Sequence, residues 1–231
     1  PLATSTWGDE EIEAIHRVIE SDRYSMGAEV AEFEKQFADY VGSKYCVMCN
    51  SGSSANLLMV AALCHRHIRA GDEVIVPAIS WSTTYFPLNQ YGLRLKFVDI
   101  DLKTLNYDLE ELEAAITSKT RVIMAVNLLG NPNDFDAIRD LVGNRDITLI
   151  EDNCESMGAT YKGKHAGTFG VMGSFSTFFS HHISTMEGGL VVTDDEKYYH
   201  LLLSLRSHGW TRHLPDQNLI QGTKNPDDFQ E

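Results

Sequence analysis

The chain has 231 residues and carries 33 acidic side chains against 19 Lys and Arg, a formal net charge of −14. That balance argues against a nucleic-acid binder, whose footprint on phosphates has to be basic. No run of about 18 apolar residues is present to span a bilayer, and no basic-then-apolar leader opens the sequence, so a cytoplasmic globular protein with a sizeable core is expected.

Asp9 to Ser21 carries Ile12, Ile15, Val18 and Ile19 at helical spacing behind an acidic start, which predicts an amphipathic helix. Val30, Phe33, Phe37 and Val41 mark a second helix, stopped at Gly42. Tyr45 to Cys49 reads as a short buried strand. Its Cys46-x-x-Cys49 pair has half of a zinc spacing, but no second pair completes a site, so core cysteines and no metal centre are expected. Asn50-Ser51-Gly52-Ser53-Ser54-Ala55-Asn56 follows, then an apolar helix from Leu57 to about His65. A strand, a turn of small residues and a buried helix make an anion site. Gly52 lets backbone come close, Ser53 and Ser54 offer hydroxyls, and helix N–H groups face the ligand. An ordinary serine cap is the plainer reading of the same residues.

Strands and helices then alternate. Strands are expected at Glu73 to Pro77, Leu93 to Val98, Val122 to Val126 and Ile147 to Glu151. Helices are expected at Ser80 to Tyr91, opening with Trp81, at the run capped by Asp108 with Glu111, and at Asp134 to Val142. This order predicts an α/β sandwich on a largely parallel sheet. A further strand over Phe175 to Phe179 runs into His181 and His182, and after Glu187-Gly188-Gly189 the chain re-enters a strand at Leu190 to Thr193. Pro1 and the polar tail from Gly222 to Glu231 suggest a piece of a longer chain.

The chemistry gathers at strand ends. Asp152 closes a buried strand, where an acid is costly unless it meets a cation or hydrogen-bond donors. One fitting cation is a protonated pyridine nitrogen; solvated turn acids are the alternative. A phosphate turn at Gly52 and Ser53, an aromatic face at Trp81, the acid Asp152 and a hydroxyl at Ser176 together would make a socket for pyridoxal phosphate. The lysine that normally ties that cofactor is missing, because no lysine occurs between Lys164 and Lys197.

Five motifs carry a resemblance over essentially the whole chain: Gly52 to Asn56, Glu151 to Glu155, Gly167 to Gly170, Ser174 to Ser176 and Met186 to Gly189. The chain resembles the sugar aminotransferase family of fold-type I pyridoxal-phosphate proteins. In most members the sixth residue before the Glu of that last motif is the Schiff-base lysine; here it is His181. The exchange is similar to the family's 3-dehydratase branch. The resemblance implies the large cofactor-binding domain of that fold over residues 1–231, a mainly parallel sheet with helices on both faces, and a smaller C-terminal domain missing from this sequence. It implies pyridoxal or pyridoxamine phosphate held without a covalent lysine, with contacts from Gly52, Ser53, Trp81, Asp152, Glu155 and Ser176. His181 would be the catalytic base and His182 would carry no chemistry.

The implied reaction is loss of the C3 hydroxyl from a GDP-linked 4-keto-6-deoxy sugar, with L-glutamate as amine donor, on a route to colitose and O-antigen. Homodimers sharing their active sites, with neither nucleic acid nor membrane as partner, are the implied setting. Three rivals stay open. One is an aminotransferase that uses Lys162, Lys164 or Lys197. Another is the CDP-sugar branch, whose iron–sulfur cluster needs cysteines. The last is a cofactor-binding regulator with a dead site. The segment Leu205 to Arg212 has the basic and aromatic character to touch a nucleotide diphosphate or a partner; a solvated helix end explains it equally well.

Overall fold

The structure, a computed structural model, describes residues 5–220. The tail expected to run polar from Gly222 to Glu231, and Pro1, lie outside the described residues. Helices α1 (Asp9–Glu20) and α2 (Ala28–Val41) come first, then β1 (Tyr45–Cys49) and α3 (Gly52–Arg66). The alternating stretch is β2 (Glu73–Pro77), α4 (Ser82–Gln90), β3 (Arg94–Val98), α5 (Leu109–Ala115), β4 (Thr120–Val126), α6 (Phe135–Val142) and β5 (Thr148–Asp152). A small hairpin of β6 (Thr160–Tyr161) and β7 (Lys164–His165) follows, then β8 (Gly173–Ser176), β9 (Gly189–Thr193) and α7 (Glu196–Leu205).

Seven strands form one sheet in the order β1-β9-β8-β5-β4-β2-β3. The pairs from β8 through β3 are parallel; β9 is antiparallel to both β8 and β1. The expected mainly parallel α/β sheet is therefore present, with helices on both faces. Alternation along each strand divides the core, since successive side chains point to opposite faces. Val74 and Val76 of β2 pack with α3, α4 and α7, while Ile75 packs with α5 and α6. In β9, Val191 joins the first cluster, and Leu190 and Val192 meet α2 through Phe37 and Val41. No described helix is long and apolar enough to cross a membrane.

Two expected boundaries move. Helix α3 starts at Gly52, five residues before Leu57, because Ser51 is its cap and accepts from the Ser54 N–H at 3.1 Å. The small-residue turn is thus the first helical turn. Strand β8 ends at Ser176 rather than Phe179. Beyond it, Thr177 N–H donates to the Gly188 carbonyl at 2.9 Å, and His181 N–H closes a turn on the Phe178 carbonyl at 2.9 Å. His181 consequently lies in a loop, not at a strand tip. The paired Cys46 and Cys49 are free thiols of β1, buried and half-buried. Burial pushes the Cys49 thiol up to about 11, so it is unreactive at neutral pH.

Glu151 is the strand residue whose surroundings most constrain the fold. It is wholly buried, and no cation faces it. One carboxyl oxygen accepts from the Phe169 and Gly170 N–H groups at 2.6 and 2.7 Å; the other accepts from Gly167 N–H at 2.6 Å and Asn127 Nδ2 at 3.2 Å. Burial pushes the carboxyl above the usual range, and the four donors work against that shift. Glu151→Gln would turn an amide N–H₂ toward N–H donors. A loss of about 2 kcal/mol or more in unfolding free energy is expected from the unpaired groups, read as a lower urea midpoint. An unchanged midpoint would contradict the role given to Glu151.

Candidate functional site

The carboxyl ends of the parallel strands open into a cavity of about 480 Å³. Its lining brings together Gly52, Ser53, Trp81, Asp152, Glu155, Ser176 and His181, all seven site residues expected from the sequence. A larger hollow of about 730 Å³ lies between α1, α2 and the end of α7, and is lined by Arg17, Tyr24, Met26 and Arg206. It contains none of the seven, and so the smaller cavity is the site.

Each group arrives from a different element. Gly52 and Ser53 open α3, whose N-terminus carries the positive end of the helix dipole. A Cβ added at Gly52 would lie 2.7 Å from Ser176 Cβ and 2.8 Å from Cys154 Sγ, so only glycine lets the helix start sit this close to β8. The exposed Ser53 hydroxyl has no protein partner among the described residues. Ser54, expected beside it, bonds Ser51 at 3.2 Å and lines the other hollow instead. Trp81 caps α4 and is 71% exposed, an indole face standing open on the cavity wall. Ser176, 4% exposed, ends β8 and accepts from Phe178 N–H at 3.3 Å.

Asp152 is 6% exposed at the end of β5. Its Oδ2 accepts from Asn56 Nδ2 at 2.8 Å and from the Thr84 hydroxyl at 2.7 Å; its Oδ1 accepts from the Cys154 N–H at 3.1 Å. All three partners are donors, which suits the ionised carboxylate. Reading the sequence missed Asn56 and Thr84 in this part. Asn56 lies within the Gly52 to Asn56 motif, and a polar side chain at the head of an apolar helix was the available signal.

His181 is half-buried, and His182 points outward to solvent. Burial pushes the His181 imidazole below its ordinary value; Glu155 pulls it up, His182 pushes it further down, and Asp152 pulls it up. The neutral ring therefore prevails at neutral pH, ready to take a proton. The loop that carries it is tied in two places: Thr185 to Thr177 through their hydroxyls at 2.6 Å, and Ser184 O to Trp7 Nε1 at 3.3 Å. Glu155 accepts from the Leu129 N–H at 3.4 Å.

Among the described residues no lysine lines the cavity. Lys162 pairs with Asp136 on the surface, and Lys164 donates to the Thr168 carbonyl at 2.6 Å. Within the segment from Leu205 to Arg212, Arg206 is turned inward, paired with Glu34 and donating to the Met48 carbonyl at 3.0 Å. Arg212 stacks over Trp210, 4.4 Å from the ring centre. Among the described residues no group of three or more His, Cys, Asp or Glu is placed to hold a metal ion.

An anion cradle, an open aromatic face and a buried carboxylate with an oxygen on the cavity fit a flat phosphorylated ring with a protonated nitrogen. Comparison with known proteins points the same way. The DegT/DnrJ/EryC1/StrS aminotransferase family matches residues 5–223. GDP-4-keto-6-deoxy-D-mannose 3-dehydratase of Yersinia pseudotuberculosis is 62% identical over the whole of this chain and 60% of its own length. A solved GDP-4-keto-6-deoxymannose-3-dehydratase with a trapped PLP-glutamate geminal diamine is 60% identical at a TM-score of 0.95, covering 98% of this chain and 60% of that one. A histidine-to-asparagine variant of such an enzyme with bound GDP-perosamine matches at 60% identity and a TM-score of 0.95, covering 99% and 60%. The chain thus spans about three-fifths of the length of these relatives.

The electrostatics can be checked directly. Ring-proton NMR should show His181 titrating below an exposed histidine, and Glu155→Gln should lower its midpoint further, since Glu155 pulls it up. A midpoint that rises in that variant would contradict the arrangement.

Proposed function

The chain belongs to the DegT/DnrJ/EryC1/StrS aminotransferase family, and from that premise we propose that it carries the cofactor-binding half of a 3-dehydratase for GDP-4-keto-6-deoxy-D-mannose. The observation that carries this reading is a cavity with Asp152 and His181 in it and, among the described residues, no lysine. A sugar aminotransferase needs a lysine for its covalent tether; Lys162 and Lys164 are engaged elsewhere, and Lys197 is exposed on α7 outside the cavity lining. The CDP-sugar branch needs several cysteines near one another, whereas Cys46, Cys49, Cys64 and Cys154 are dispersed over β1, α3 and the turn after β5. A dead regulator has no use for a base with its pKa held low beside the acid.

Gly52, Ser53 and the start of α3 would hold the phosphate of pyridoxal or pyridoxamine phosphate, and Ser176 would close its other side. Trp81 would cover the ring face, and Asp152 would keep the ring nitrogen protonated, stabilising charge that develops in the ring. Glu155 would sit by the ring hydroxyl. Bound there, the cofactor would supply the amine taken from L-glutamate, which condenses with the C4 ketone, and the conjugated ring that lets the C3 hydroxyl depart.

His181 would do the proton work. Its neutral imidazole accepts a proton and, once charged, offers it to the departing hydroxyl. Glu155 and Asp152 stabilise the imidazolium between those two moments, as their pull on its pKa indicates. Without a covalent tether, Trp81 and the phosphate cradle bear the whole task of retention. A second copy would complete the site: exposed apolar side chains cluster in the segments around it, with Trp81 at 71%, Leu129 at 69% and Met186 at 55%.

The test is mass spectrometry of the sugar after the full-length protein is incubated with pyridoxal phosphate, L-glutamate and GDP-4-keto-6-deoxymannose. A sugar lacking one hydroxyl, with 2-oxoglutarate and ammonia formed, is expected. His181→Asn should lose at least about 100-fold in kcat, and kcat/KM of the unmodified enzyme should fall on acidification only below the ordinary histidine range. An amino sugar as the product would overturn the proposal.

A further inference from the structure

The carboxyl of Asp152 is held asymmetrically. Oδ2 accepts two hydrogen bonds, from Asn56 Nδ2 at 2.8 Å and Thr84 Oγ1 at 2.7 Å, which fills both of its in-plane acceptor directions. Oδ1 accepts the Cys154 N–H at 3.1 Å, and among the described residues the only other group at this carboxyl is the Cys154 thiol, a weak donor that a ring N–H outcompetes. Asp152 lines the cavity. A ring nitrogen can therefore be met by Oδ1 alone.

Both donors on Oδ2 are themselves locked. Asn56, Thr84 and Ser174 are all 0% exposed. The Ser174 hydroxyl donates to Asn56 Oδ1 at 2.6 Å, which fixes which end of the amide faces Asp152; the reversed amide would set its oxygen against a carboxylate. Asn56 Nδ2 also reaches the Thr83 carbonyl at 3.4 Å. Thr84 donates to an acceptor-only carboxylate, so the Ser80 hydroxyl, 2.8 Å away, is left as the donor to Thr84. Ser174 lies directly beside Asp152 in the β5–β8 register, which ties the arrangement to the sheet itself.

We propose that Thr84 and Asn56 are positioning residues that clamp Oδ2 of Asp152 and thereby present Oδ1, in one fixed orientation, to the cofactor's ring nitrogen. The inference rests on the cofactor reading above and adds to it the residues that fix the plane of the carboxylate facing the ring. The outer torsion of an aspartate is intrinsically broad and nearly twofold. One backbone N–H leaves the tilt of the carboxylate plane loose; two buried donors on one oxygen fix it. A carboxylate turned out of line with the ring would leave the substrate's binding intact and weaken stabilisation of the charge that forms later.

Two measurements on the full-length protein test this. In crystals grown without cofactor, the Asp152 carboxylate plane should hold one tilt in the unmodified protein and be rotated or spread in Thr84→Val, which keeps the shape of the side chain and removes the hydroxyl. Ser80→Ala, at the cavity edge, should change the orientation in the same sense but less, and it guards against a fold defect in the buried variant. In protein loaded with pyridoxal phosphate labelled with ¹⁵N in the ring, the nitrogen signal of Thr84→Val should move toward the unprotonated position. Its kcat should fall about 10- to 100-fold with KM for the nucleotide sugar unchanged, and Thr84→Ser should restore both. An unchanged tilt of the Asp152 carboxylate plane and an unmoved nitrogen signal in Thr84→Val would overturn the clamp. If the unmodified protein takes up no pyridoxal phosphate, the cofactor reading fails, and the crystal orientations still decide the clamp.

Discussion

Two adjacent carboxylates at the end of one buried strand are the constraint on which the rest of the structure depends. Glu151 and Asp152 are 0% and 6% exposed, and neither has a Lys or Arg partner among the described residues. Charge buried this way is tolerated only where hydrogen-bond donors converge on it. The period of a strand sends the two side chains to opposite faces, so donors must be supplied on both. On one side the backbone of residues 167–170 wraps Glu151; on the other, α3 and α4 bring Asn56 and Thr84 to Asp152. The first arrangement is structural. The second leaves one oxygen open on a cavity, and that difference is where chemistry becomes available.

The same economy shapes the loop after β8. A Cβ on Gly189 would lie 2.1 Å from the Ser51 carbonyl oxygen, so β9 passes directly beneath the start of α3. That contact sets the anion cradle and the His181 loop against each other. The imidazole is thereby lodged in a partly desolvated wall facing Glu155 and Asp152, where it stays neutral yet has negative charge at hand once it is protonated. A lysine amine at this position could bond covalently to an aldehyde; an imidazole can only exchange protons stably. Retention of the cofactor then depends on non-covalent contacts alone.

Much of this was legible in the sequence because it is local. Alternating apolar runs gave the succession of strands and helices of an α/β sheet, and Gly52, Asp152 and Ser176 sit at strand or helix ends where short-range patterns change. The exchange of lysine for His181 needed only a register count. What the sequence obscured is non-local. Helix α3 absorbs its small-residue turn because Ser51 caps it, against the low helix propensity of Gly and Ser. Strand β8 stops at Ser176 although Phe178 and Phe179 favour β-structure, because Thr177 pairs with Gly188 and turns the chain. Glu151 reads as one more acid in an acidic run, and its partners lie sixteen or more residues away in sequence. Arg206 reads as a surface cation and is held inside by Glu34, far back in α2.

The central claim is that pyridoxal phosphate is bound in this cavity by Asp152, Trp81 and the cradle at Gly52 with no lysine tether. The most direct measurement is intact-protein mass spectrometry of the full-length protein after it is loaded with pyridoxal phosphate and treated with borohydride. The account predicts a protein mass without an adduct, and a cofactor that exchanges on gel filtration in phosphate buffer. A stable adduct mapped to a lysine of this chain would contradict it.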